Sequence, residues 1–220
     1  MRLRITFSKQ GALRYTGHLD LHKMWERTAR RAGLPLAYSK GFHPHPQIQL
    51  AAALPLGFAS RCEVVDVTID GEADVSSLPE KLQSAVPSGL HILKVEQADE
   101  KSPALQTLVT SAEYEVILPD SVDETDLARR LSAVMDAASL PRERRDKPYD
   151  LRPLIEQLRI VPHPHPAPDG RGTRGEGNPV IFMRLAARPG ATGRPEEVLD
   201  ALGIAFEGTR IERTRLIFSA

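Results

Sequence analysis

Met1-Arg-Leu-Arg-Ile-Thr-Phe7 alternates apolar and polar residues, with Leu3, Ile5 and Phe7 on one side and Arg4 and Thr6 on the other. A period of two marks a half-buried strand. Gly11 then makes a turn, and Leu13-Arg-Tyr15 reads as a continuation of the strand. Gly17-His-Leu-Asp20 opens a helix that runs to about Ala32, because Leu21, Trp25, Thr28, Ala29 and Ala32 fall on one stripe. Gly33-Leu-Pro35 is a helix stop. Leu36-Ala-Tyr38 and Gln47–Leu50 read as one interrupted extended segment, and Val64–Ile69 as an alternating strand. A helix near Val75–Val86 and a strand over Leu90–Val95 complete the unit.

The order strand, helix, strand, strand, helix, strand then recurs. Tyr114–Leu118 is a strand, Glu124–Ala138 a helix, and Tyr149–Ile155 a turn or short helix that enters a strand at Leu158–Val161. Val180–Leu185, the helix Pro195–Leu202 and the strand Ile211–Phe218 follow. Two successive split βαβ units predict an α+β protein of two tandem ferredoxin-like units with mostly antiparallel sheets. The expected domains are residues 1–98 and 112–220, joined by a patternless linker at Gln97–Ser111. Within the second, residues 162–179 (PHPHPAPDGRGTRGEGNP) are dense in Pro, Gly and Arg and read as a mobile loop. His163 and His165 in that loop receive no role.

Composition excludes several classes of protein. The one cysteine, Cys62, rules out an internal disulfide framework and a cluster held by several cysteines of this chain. It precedes Glu63 at a strand start without a basic activator, which fits a buried thiol better than a nucleophile. No run approaches a membrane span, and the first residues lack a signal-peptide apolar core, so a cytoplasmic location is expected. The net charge of zero is unevenly spread. Residues 1–49 carry nine Lys or Arg against two acids, residues 50–135 are net −9, and residues 136–220 net +2. A basic end of this size favours an anionic ligand.

The expected functional surface is Arg14–Pro46. At its start, free backbone N–H groups of a helix N-terminus sit beside Arg14, Tyr15, His18 and Asp20, with Lys23, Arg27, Arg30 and Arg31 further along. At its end, Ser39-Lys-Gly-Phe-His-Pro-His-Pro46 joins a cation (Lys40), a flexible glycine (Gly41), a ring on which a base could stack (Phe42) and two proline-constrained histidines (His43, His45). Such a loop builds no core, which favours function. His18 and His22 stand four apart on one helical face, with His43 or His45 available to complete a metal site. No HExxH glutamate accompanies them, and no metal ligand is assigned.

Leu13-Arg-Tyr-Thr-Gly-His-Leu-Asp-Leu21, Glu26-Arg27, Arg30–Pro46 and Leu54-Pro-Leu-Gly57, with a weaker match at Asp150–Ile155, resemble the radical-SAM-linked protein family. This is a domain of unknown function encoded beside, or fused to, a cobalamin-binding-type radical S-adenosylmethionine protein. The chain departs from the family at His43, where asparagine is usual, and at Gln47, where a cation is common. The resemblance implies an accessory protein without cofactors of its own. Its partner would use S-adenosylmethionine, an iron–sulfur cluster and cobalamin. The expected function is therefore non-catalytic: Arg14, Tyr15, His18, Asp20, Arg27, Arg31, Ser39, Lys40, Gly41, Phe42, His43 and His45 hold an anionic substrate such as RNA for a radical SAM protein, with no membrane or DNA partner. The alternative is a metal-independent RNA endonuclease of the CRISPR repeat-processing type, with His18 or His43 as general base and Lys40 or Arg14 stabilising phosphate charge. A second alternative is a metal protein using His18 and His22.

Overall fold

The computed structural model describes residues 1–119, 122–162 and 179–219. The chain is mixed α+β, with mostly antiparallel strands and few helices. It divides into two units, residues 1–110 with the chain end from 218, and residues 111–217.

In the first unit, strand β1 (Arg2–Lys9) buries Leu3, Ile5 and Phe7 completely. Helix α1 (His18–Arg31) lays Leu21, Trp25, Thr28 and Ala29 on the core. The Trp25 ring meets Phe7 edge-on at 4.8 Å between centroids, a favourable arrangement of ring quadrupoles. Gly33 ends the helix at φ +71°, and the Gly33 and Leu34 N–H groups donate back to the carbonyls of Arg30 and Ala29. These paired bonds satisfy carbonyls left open at a helix end. Strands β2 (Ile48–Leu50) and β3 (Ala59–Thr68) follow, then helix α2 (Leu78–Ala85) and strand β4 (Leu90–Ala98). The strands lie in the order β2-β3-β1-β4, each antiparallel to its neighbour. Each helix therefore links two strands that have a third between them.

Helix α3 (Leu105–Leu108) leads into β5 (Val109–Ile117). Helix α4 (Glu124–Asp136) starts at Asp123, whose carboxylate accepts from the Asp126 N–H, and buries Leu127, Leu131 and Val134. Strands β6 (Pro141–Arg144) and β7 (Lys147–Asp150) form a two-stranded hairpin. Then come β8 (Ile155–Val161), β9 (Val180–Arg188), β10 (Ala191–Thr192), α5 (Pro195–Ala201) and β11 (Arg210–Phe218). The main strands lie in the order β8-β9-β5-β11, which repeats the order of the first unit.

Two expectations need correction, and one element was not expected. Leu13–Tyr15 does not prolong β1. The Gln10 N–H donates to the Gly89 carbonyl at 2.8 Å, and the chain then tightens into a 3₁₀ turn over Gly11–Tyr15, opened by Gly11 at φ +60°. Gln97–Ser111 is no plain linker: β4 reaches Ala98, Leu105 is fully buried, and β5 begins at Val109. The hairpin β6–β7 has no counterpart in the sequence reading. The expected loop at 162–179 lies, but for its two end residues, outside the described residues, as do His163 and His165.

Candidate functional site

The site residues fall at two ends of the first unit. Lys9, at the end of β1, has no exposure, and its Nζ donates to the Thr16 carbonyl at 3.1 Å. That bond ties the start of α1 to the end of β1. Arg14 lies over the Tyr15 ring at 4.7 Å and donates to the Tyr15 hydroxyl at 2.7 Å. The Gly57 N–H donates to the Arg14 carbonyl, which brings the 52–57 segment alongside. Gly17 caps α1 without a side-chain bond, and a Cβ there would meet Asp20 and Leu56. His18 and Asp20 are exposed in the first turn, and Tyr15, Leu19 and Leu56 are exposed apolar groups around them.

The Ser39–Pro46 loop sits at the other end. Leu36 bridges to Ile69, and the Thr68 N–H donates to the Gln47 carbonyl, so the loop lies beside the start of β1. It is closed on itself: the Ser39 N–H donates to the His45 carbonyl at 2.8 Å, and the His45 N–H donates to Ser39 Oγ at 3.0 Å. Gly41 at φ +138° makes the turn, a conformation that side chains disfavour. The ring of Phe42 is fully exposed at 102%, and Lys40, His43 and His45 are exposed with it. The 14 residues of α1 separate the two ends by about 21 Å at ~1.5 Å per residue. Arg14, Tyr15, His18 and Asp20 therefore do not converge with Lys40–His45.

Between the ends, Lys23, Arg27 and Arg31 recur every four residues on the exposed face of α1, one line of positive charge that ends near the loop. Arg30 is occupied: it pairs with Glu26 at 2.7 Å and donates to the Tyr38 hydroxyl at 2.8 Å. His22 Nε2 lies 3.2 Å from the Ile48 carbonyl, so this ring faces β2 rather than a site shared with His18. Among the described residues no group of three or more His, Cys, Asp or Glu is placed to hold a metal ion.

Sequence reading missed a polar cleft of about 640 Å³ beside the loop. At its wall Asp66, 2% exposed, accepts from Arg2 Nε at 2.8 Å and from Arg4 Nε and a terminal nitrogen, each at 2.9 Å. The bond to Asp66 holds the Arg4 guanidinium above its ordinary pKa, against the opposing effect of burial. Arg2 also donates to the carbonyls of Ser102 and Pro103. Two of the nine bases in the basic segment thus neutralise a buried acid. Only the alternation Arg2, Arg4 opposite Asp66 in a strand pair could have signalled this.

A family model described as "Uncharacterized protein conserved in bacteria (DUF2344)" matches residues 2–195. The chain belongs to this family. Its description supplies no activity. None of the curated proteins matches. Among solved structures, a chain of a Cbf5-Nop10-Gar1 complex aligns at a TM-score of 0.49 with 12% identity, over 97% of this chain and 48% of its own. A chain of an H/ACA RNP bound to a substrate RNA containing 2'-deoxyuridine aligns at 0.46 with 13% identity, over 97% and 47%. One of an archaeal box H/ACA sRNP Nop10-Cbf5 complex aligns at 0.43 with 14% identity, over 98% and 48%. The chain spans about half the length of these solved chains. No described helix is long and apolar enough to cross a membrane.

Proposed function

We propose that the first unit holds single-stranded RNA for a partner enzyme of the radical S-adenosylmethionine type and does no chemistry itself. One observation carries the RNA part: a fully exposed Phe42 beside Lys40, on a closed loop at the end of the line Lys23, Arg27, Arg31. A base stacks on such a ring while cations take the phosphates, a combination tolerant of sequence. The partner rests on the family resemblance of Leu13–Leu21, Glu26-Arg27, Arg30–Pro46 and Leu54–Gly57 alone. The repeated strand order supports reading both units as ferredoxin-like. A cytoplasmic location goes with this reading.

The nuclease alternative is narrowed by distance: His18 stands a helix length from Lys40, so only His18 with Arg14, or His43 with Lys40, could serve one scissile phosphate. Purification of the full chain from its host, with mass spectrometry and nuclease-treated controls, tests the proposal. A radical SAM protein and RNA are expected to co-purify. Absence of the enzyme removes the partner, and failure of purified chain to shift single-stranded RNA at low salt removes the RNA.

A further inference from the structure

The cleft beside the loop has the wrong lining for phosphate. Lys40 and Tyr38 line it, but so do Gln49, Asp66, Asp70 and Glu100. Asp66 is consumed by Arg2 and Arg4, and Glu100 lies 3.3 Å from the Met1 amino group. The Asp70 carboxylate has no hydrogen-bond or ionic partner among the described residues, although its backbone N–H is fixed on the Pro35 carbonyl at 2.8 Å. Gln49 accepts the Leu105 N–H at its Oε1, 3.2 Å away. That bond sets the amide orientation and leaves its NH₂ group to donate. Tyr38 is half-exposed, its hydroxyl held by Arg30. The cleft therefore offers a cation at its mouth, an open carboxylate, an amide donor and a fixed ring.

A phosphate would be repelled by Asp70. A group rich in N–H donors, attached to a phosphate that stays at Lys40, would be attracted. We propose that this cleft reads a guanine base of single-stranded RNA. Asp70 accepts guanine N1–H and N2–H together, and Gln49 donates to an acceptor on the far edge of the base. Guanine is the one RNA base with two adjacent donors on its pairing edge, matched to the two oxygens of a carboxylate. Adenine lacks the N1 proton. Cytosine and uracil each offer one donor next to an acceptor. This inference rests on the RNA reading above and adds base identity to it.

The test uses full-length chain and fluorescently labelled 8-mers, oligouridine with and without one central guanosine, read by anisotropy at low salt. The guanosine 8-mer is expected to bind about tenfold tighter, the scale of one bidentate base contact. Inosine, which keeps N1–H and lacks the N2 amine, is expected to fall between the two. Asp70→Asn is expected to bring the guanosine 8-mer to the oligouridine level, with an unchanged melting curve because the side chain is exposed. Equal, salt-sensitive binding of both 8-mers overturns guanine recognition and leaves the RNA reading standing. A preference that survives Asp70→Asn overturns the assignment to this cleft. No binding of any 8-mer overturns both.

Discussion

Replacing Arg27 and Lys40 together by alanine separates charge contact from everything else this surface does. Four cations, Lys23, Arg27, Arg31 and Lys40, are exposed and have no ionic partner among the described residues. Arg2 and Arg4 are spent on Asp66, and Arg30 on Glu26. For a single strand, the logarithm of the binding constant falls with the logarithm of salt by about 0.7 per phosphate neutralised, so four contacts give a slope of about −2.8. Between 50 and 200 mM salt that is a loss of roughly 50-fold. The double variant keeps two contacts, a slope of about −1.4 and a loss of roughly sevenfold over the same range. Anisotropy with an 8-mer oligouridine at four salt concentrations measures both slopes. A double variant that binds more weakly but keeps the full slope refutes the reasoning, because phosphate neutralisation would then not be what was removed. The same range with Arg14→Ala in place of Arg27→Ala is expected to change the slope less, since Arg14 lies at the far end of α1.

Phe42→Ala is expected to cost about 1–3 kcal/mol of RNA affinity, the worth of one stacked base, with no change in melting temperature because the ring touches solvent only. Asp66→Ala leaves Arg2 and Arg4 facing each other without their shared acid, and urea titration is expected to show a loss of about 3 kcal/mol, the low end for a broken buried pair because Arg4 is partly exposed. Gly89→Ala places a Cβ 2.7 Å from the Gln10 carbonyl at φ +89°, so the same titration is expected to show destabilisation of about 1–3 kcal/mol. The N–H groups of Leu140 and Arg152 hold the Asp150 carboxyl below its ordinary pKa. A lowered carboxylate stabilises the fold above the ordinary aspartate value, and that contribution disappears as pH falls through the lowered one. Protection of the β6–β7 hairpin amides against hydrogen exchange, corrected for the intrinsic rate, is therefore expected to hold above the ordinary aspartate value and to decline as pH falls below it, and Asp150→Asn to remove that acid dependence.

Elements that build the core were legible because their periods are forced by burial. Leu3, Ile5 and Phe7 had to alternate, and Leu21, Trp25, Thr28 and Ala29 had to share a helical stripe, because they meet in one interior. The hairpin at residues 141–150 was not legible. It is an exposed two-stranded ribbon with no apolar face, and its turn uses Arg145 and Asp146 at φ +52° and +61° instead of the usual glycine. The loop Ser39–Pro46 stood out through Gly41 and the two prolines. Its company did not, because proximity to Asp70 and Gln49 depends on which end of β1 the loop reaches. That follows from β2 pairing antiparallel to β3, with Ile48 opposite Val67. The supposed union of helix N-terminus and loop failed for the same reason: a helix that runs back along the strands delivers its two ends to opposite ends of β1.

Helix α1 is pinned at both ends, at Thr16 by Lys9 and through Arg30 by Tyr38. A rod fixed in this way is a ruler. Its length of about 21 Å corresponds to about six stacked nucleotides at ~3.4 Å each. Any strand shorter than that can touch the loop or the Arg14 end, and not both. The shortest oligonucleotide whose affinity responds to Arg14 and Lys40 together would then measure the helix, and a fragment of three nucleotides would treat this surface as two unrelated sites.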